Sequence, residues 1–299
     1  MQSNRVLKEP AQGGARAAEI RLNVGDLIVS ILGENGLQVT GYAEPFIEAG
    51  PPEATICLTS KGEEQDFESH GQILDGQQFG WSAYRHHLEG AITVDRHGRQ
   101  ILTRLGPDDR DDDIWISSPQ QTLTAVELLP IPITSILSRH RGLLLHSCGL
   151  VFQGQGVIFA GVSGTGKSTM AGLWQRWGDA RAAVVDDEHL IVRYRRDLPR
   201  LYGVPWRRGD RQSLVGDVPL RAIFFLVQGP QNLCRPLSPA DALGRLMSQV
   251  FLPLWSKAQM DRVLETGARL IQDTHCFELE FLPRPETIEF LQGWLEENL

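Results

Sequence analysis

The stretch GVIFAGVSGTGKST (residues 156–169) decides how this chain is read. Within it, Gly161 to Ser168 matches the pattern G-x-x-x-x-G-K-[ST] in full. An apolar run precedes the loop, reading as a strand, and Lys167 to Trp177 follows as a helix. Glycines let successive backbone N–H groups turn inward around an anion, and a helix N-terminus attracts negative charge. The pattern therefore points to a phosphate cradle built from Gly161, Ser163, Gly164, Thr165, Gly166, Lys167, Ser168 and Thr169. Lys167 is placed to reach the β- and γ-phosphates of ATP, and the Ser168 hydroxyl to ligate Mg²⁺.

Downstream, AAVVDDEH sets Asp186 and Asp187 at the end of a hydrophobic strand, 182–186. A rigid strand that delivers a carboxylate beside such a loop supplies a ligand for Mg²⁺. The second carboxylate points further. A group that transfers phosphate to a hydroxyl also needs a proton acceptor, and two adjacent acids can divide those jobs.

Further outward the texture differs on the two sides of Pro130. Residues 1–19 read as a loose tail, 20–128 as a β-rich domain and 129–299 as an α/β domain. Short apolar runs in the first half are bounded by turn residues: LIVSIL (27–32), TICLT (55–59), GAITVD (90–95) and DIWIS (113–117). The acidic run at 108–113 reads as a solvated turn. In the second half a helix is expected from Ile133 to Arg139. One strand is expected over LLLHSCGLVF (143–152), another over 156–161 and a buried one over 182–186. RAIFFLV (221–227) and CFELEF (276–281) read as further strands, with helices at 239–250, 258–272 and over PETIEFLQGWLEEN.

Composition narrows the class. Hydrophobic residues make up 41% and charged residues 22%, enough to build a core, and the net charge is −8. That balance argues against a nucleic-acid partner, which needs a basic face. No run of residues has the length and apolarity of a membrane span or a signal peptide. Cys57, Cys148, Cys234 and Cys276 lie far apart with no C-x-x-C pair, which fits free thiols in a reducing cytoplasm.

His146 before the loop, GVSGTGKST, and VVDDEH after it, in this order and spacing, resemble the HPr kinase/phosphorylase family. The nucleotide core is also similar to that of ATP-dependent PEP carboxykinase. Tyr202-Gly-Val-Pro-Trp206 and PLRAIFFLVQGP (219–230) look closest to HPr-kinase-related proteins of biosynthetic clusters, including those making lasso peptides. The resemblance implies a P-loop kinase fold over the second half, beside a β-rich (α+β) first half. It implies a Ser/Thr kinase using ATP and Mg²⁺, acting on a small protein or peptide and leaving a homo-oligomer open. Carried over, Asp186 is the base on the acceptor hydroxyl, Asp187 binds Mg²⁺ with Ser168, and His146 tunes Asp186; the two aspartates can exchange roles. The glycine-rich stretch that follows the Asp pair in bacterial HPr kinases has no counterpart in LIVRYRRDLPRLYGVPW.

Other residues are weighed against plainer readings. Arg207, Arg208 and Arg211 can grip a phosphate or an acidic acceptor, or form a solvated turn. His189, His86, His87 and Trp81 read mainly as packing or surface residues. Two rival functions stay open: a kinase of a free serine-like metabolite, and a nucleotide-dependent switch with incidental turnover.

Overall fold

A computed structural model describes residues 18–33, 43–59, 129–206 and 214–298, and the backbone of strands between 73 and 117. The architecture is mixed α/β. The first half builds short strands: β1 (Ala18–Asn23), β2 (Ile28–Gly33), β3 (Ala54–Thr59) and β4 (Ile73–Gln78). β5 (Trp81–Arg85), β6 (Ala91–Arg96), β7 (Arg99–Arg104) and β8 (Asp113–Ser117) follow. They form one sheet in the order β1-β2-β3-β8-β7-β6-β5-β4, parallel at β2–β3 and β3–β8 and antiparallel elsewhere.

The second half opens with α1 (Pro130–Arg139), three residues earlier than the sequence suggests. Both prolines sit in the first turn, where backbone N–H groups have no intrahelical acceptor, so neither breaks the helix. The run LLLHSCGLVF is not one strand. It splits into β9 (Gly142–Leu145) and β10 (Cys148–Phe152), with His146 and Ser147 at the break. β9 pairs with β13 (Leu190–Arg195), while β10 pairs with β11 (Gln155–Ala160) and β12 (Ala182–Asp186). The chain changes sheets at His146, whose N–H donates to the Gln249 carbonyl at 2.8 Å.

β13 and β14 (Leu198–Tyr202) form a hairpin that the sequence reading does not contain. Its turn residues Arg196 and Asp197 have φ of 48° and 62°, a left-handed turn without the usual Gly or Asn. Asp197 Oδ1 accepts from Arg141 and Arg269, and those two guanidiniums hold its carboxyl below the usual carboxylate range. β15 (Asp217–Gln228) is twice as long as a typical strand because it joins two sheets. Its first residues pair antiparallel with β14, and the rest runs parallel to β11 and to β17 (His275–Phe281). β16 (Leu233–Pro236) pairs with β17. β12 pairs with β10 alone among the described residues and leaves Ala183 exposed, so it is an edge strand rather than a fully buried one.

The remaining helices are α2 (Lys167–Trp177), α3 (Pro239–Met247), α4 (Lys257–Asp273) and α5 (Glu286–Asn298). Apolar side chains gather in three clusters. One packs α2 and α5 on β10, β11, β15 and β17 through Phe159, Phe224, Trp174 and Leu291. A second lies under α3 and α4. The third crosses from the first half to the second: Leu22, Val29 and Ile56 meet Ile133, Ile136, Leu137 and Ile191. Arg193 reinforces that crossing by donating to the His140 and Gly25 carbonyls.

Candidate functional site

β11 ends at Ala160 and α2 begins at Lys167, so the glycine loop spans a strand end and a helix start. The backbone of Gly164 and Gly166 is left-handed, with φ of 86° and 105°, a region that favours glycine. A Cβ on Gly166 would also lie 2.7 Å from Phe281 Cζ. The loop closes on itself where Thr165 donates to the Val162 carbonyl from both N–H and hydroxyl, at 3.2 and 2.8 Å. Lys167 is 7% exposed and its ammonium donates to the Gly161 carbonyl at 2.6 Å. Burial lowers its pKa.

A cleft of about 420 Å³ lies over this loop. Its lining residues are His146, Ser163, Gly164, Gly166, Lys167, Ser168, Thr169, Asp187, Glu188 and Gln228. Two turns also contribute to the lining. One is the break between β9 and β10, which carries His146. The other is the connection from β12 to β13, residues 187–189. Asp186 shapes that second turn. It is 2% exposed, and its Oδ1 accepts from the N–H groups of Glu188 at 2.7 Å and His189 at 3.1 Å. Short acidic side chains commonly bond the backbone two or three residues on, and the result here is to turn Asp187 and Glu188 toward the cleft.

The charges in the cleft are unequal. His146 is pulled down to about 4, first by burial and then by the Lys167 charge, against a hydrogen bond to the Glu188 backbone and the Asp187 charge. It is therefore neutral near pH 7 and packs edge-on to His189, with ring centroids 6.0 Å apart. Among the described residues, no group of three or more His, Cys, Asp or Glu is arranged as a metal site. Mg²⁺ needs less, because it is commonly held by one or two carboxylates together with substrate phosphates.

A family model described as "SynChlorMet cassette protein ScmC" matches residues 116–275, more than half of the chain. The chain belongs to the ScmC family. The stretch shared with other ScmC proteins contains the glycine loop, the 186–189 turn and Gln228, and it ends at the first residue of β17. No curated protein matches the chain. Among solved structures, the HPr(Ser) kinase/phosphatase from Coxiella burnetii aligns at 12% identity and a TM-score of 0.31. The alignment covers 52% of this chain and 94% of that one. A likeness at that score is too loose to carry chemistry from one protein to the other.

Of the residues singled out from the ScmC sequence, the cleft gathers His146, Ser163, Gly164, Gly166, Lys167, Ser168, Thr169 and Asp187. Gly161 and Thr165 support the loop from within, and Asp186 lies behind the turn rather than on the cleft wall. Arg207, Arg208 and Arg211 lie outside the described residues, as do His86, His87 and residues 1–17; the side chain of Trp81 and most of the acidic run do too. Glu188 and Gln228 line the cleft without having been singled out. Glu188 adjoins the Asp pair and needed only the turn geometry to be seen. Gln228 ends a buried strand, and in α/β sheets ligands collect at the carboxyl ends of parallel strands.

Proposed function

We propose that this chain is an ATP-dependent phosphotransferase that phosphorylates a Ser or Thr hydroxyl on a small protein or peptide. One observation carries the reading. At the carboxyl ends of the parallel strands β11 and β15, a single cleft combines a glycine loop at a helix N-terminus, a buried ammonium and cleft-facing carboxylates. The loop fits a polyphosphate: a Cβ at Gly161 would lie 2.4 Å from Thr165 Oγ1, and one at Gly166 would meet Phe281, so the backbone runs where side chains have no room. Such close-set backbone donors suit phosphate oxygens.

Lys167 is the cation for the β- and γ-phosphates. Ser168 and Asp187, both in the cleft, would hold Mg²⁺, which when bound neutralises charge on the phosphates. Glu188 is the second cleft carboxylate and the group we assign to take the acceptor's proton. Its location replaces Asp186, which is buried and engaged by two N–H groups, in the role of base. In the transfer, the acceptor oxygen forms a bond to the γ-phosphorus as the bond to the bridging oxygen breaks, leaving ADP. The acceptor proton passes to Glu188. The neutral His146 imidazole orients the 187–189 turn through the Glu188 backbone.

The test is incubation with γ-phosphate-labelled ATP and three acceptors: candidate precursor peptides, HPr and free serine. Label on a peptide or protein supports the reading. Label on free serine alone moves the assignment to a metabolite kinase, and ATP binding without label on any acceptor favours a nucleotide switch.

A further inference from the structure

Gln228 has no role in the phosphotransfer chemistry, yet it touches the loop at the Gly164 carbonyl. β15 runs parallel to β11, and the two are paired as far as Ala160 and Phe225. Beyond that register β11 gives way to the glycine loop, while β15 continues for three residues. Those residues carry Gln228 over the loop crest. Its Nε2 donates to the Gly164 carbonyl at 2.9 Å, and the side chain lines the same cleft.

Gly164 has φ of 86°, and a Cβ there would find nothing within 4 Å, so that side of the loop faces open space. Its neighbours are fixed by other means. Gly166 sits against Phe281, which is 1% exposed at the end of β17, and Thr165 is bonded to Val162. β15 and β17 are paired up to Gln228 and Phe281, so the two outside holds on the loop come from adjacent residues of one sheet. The 164–165 peptide plane is held from both sides: its N–H donates to the Val162 carbonyl at 3.2 Å within the loop, and its carbonyl accepts from Gln228 at 2.9 Å from outside.

We propose that Gln228 is a positioning residue that presets the crest of the glycine loop for the nucleotide's phosphates. This rests on the phosphotransferase reading for its ligand, but the hold on the loop itself does not. Preorganised donors cost no rearrangement when the anion arrives, which is where an outside brace gains its effect. An exposed side chain with one hydrogen bond contributes little to global stability, so its loss should be felt locally.

The experiment compares wild type with Gln228→Met, which keeps the side-chain length and removes the donor, and with Gln228→Glu, which places an acceptor against the carbonyl. Hydrogen exchange of a peptide spanning 161–166 is measured without nucleotide, and Mg·ATP and Mg·ADP affinities by calorimetry. Both variants should exchange faster in that peptide, with α2 and β15 unchanged and thermal midpoints near wild type. The Met variant should bind ATP roughly three- to tenfold more weakly, the range one hydrogen bond supports. Unchanged loop exchange in both variants overturns the brace. Faster exchange with wild-type ATP affinity overturns its role in nucleotide binding. A wild-type protein that binds no ATP defeats the phosphotransferase reading and the nucleotide half of this inference, while the exchange arm still decides whether Gln228 holds the loop.

Discussion

Lys167 is the buried cation of the cleft, and its ammonium rests on the loop's own carbonyl. Lys167→Ala should lower phosphotransfer by about a hundredfold or more, the usual scale for losing a preorganised charge at developing transition-state charge. Steady-state rates with saturating acceptor check it. The three acids of the 186–188 turn should separate in kind. Asp187→Asn should raise the Mg²⁺ needed for half-maximal rate, Glu188→Gln should lower kcat at normal Mg²⁺ demand, and Asp186→Asn should shift the thermal midpoint. Coincident Mg²⁺ titrations for all three variants would contradict that division. His146 makes a statement about acid stability. Its folded pKa is about 4 against an unfolded 6.5, so the unfolded chain binds more protons between those values. Stability should therefore fall as pH drops from 6.5 toward 4. His146→Gln removes that dependence, so denaturant midpoints should fall less on acidification in the variant than in wild type.

At the level of elements, the glycine loop offers a paired test. Gly164→Ala meets only the backbone penalty, on the order of 1–2 kcal/mol for a left-handed L-residue. Gly166→Ala adds a collision with the buried Phe281 ring and should destabilise clearly more. Chemical denaturation of the two variants ranks them. Equal losses would mean that Phe281 does not back the loop. Elements whose periodicity was strong were legible in the sequence. α2 spans Lys167–Trp177 as read, and the β12 run 182–186 also holds its bounds. What escaped had physical reasons. LLLHSCGLVF is apolar on both sides of His146, so nothing in its pattern announces that the chain changes sheets there. The β13–β14 hairpin turns on Arg196-Asp197, which lacks the glycine that usually marks such a turn, and Asp197 pairs with Arg141 and Arg269 from distant parts of the chain. Within the site, the loop was visible as a pattern. Asp186 and Asp187 look equivalent in sequence, and only the hydrogen bonds to Asp186 Oδ1 separate the turn-former from the cleft wall.

Across the whole molecule, the two halves share apolar surface. Leu22, Val29 and Ile56 pack with Ile133, Ile136 and Ile191 in one buried cluster, and Arg193 bonds the turn at Gly25. A chain truncated to begin at Pro130 would expose that cluster, and each buried Leu, Ile or Val side chain stabilises by about 1.5–3 kcal/mol. We expect such a truncation to be insoluble or strongly destabilised, as read by soluble yield and melting. A well-folded truncated chain would show that the first half can be removed. No helix among the described residues is long and apolar enough to cross a membrane. On the reading proposed above, the cleft over Gly161–Ser168 binds the phosphates of ATP. The most direct measurement is calorimetric titration of Mg·ATP into the full chain and into its Lys167→Ala variant. One site is expected on the wild-type chain, weakened by about tenfold or more in the variant, in line with loss of a charge-assisted contact. No heat of binding to the wild-type chain, or equal affinity in the two proteins, would contradict it.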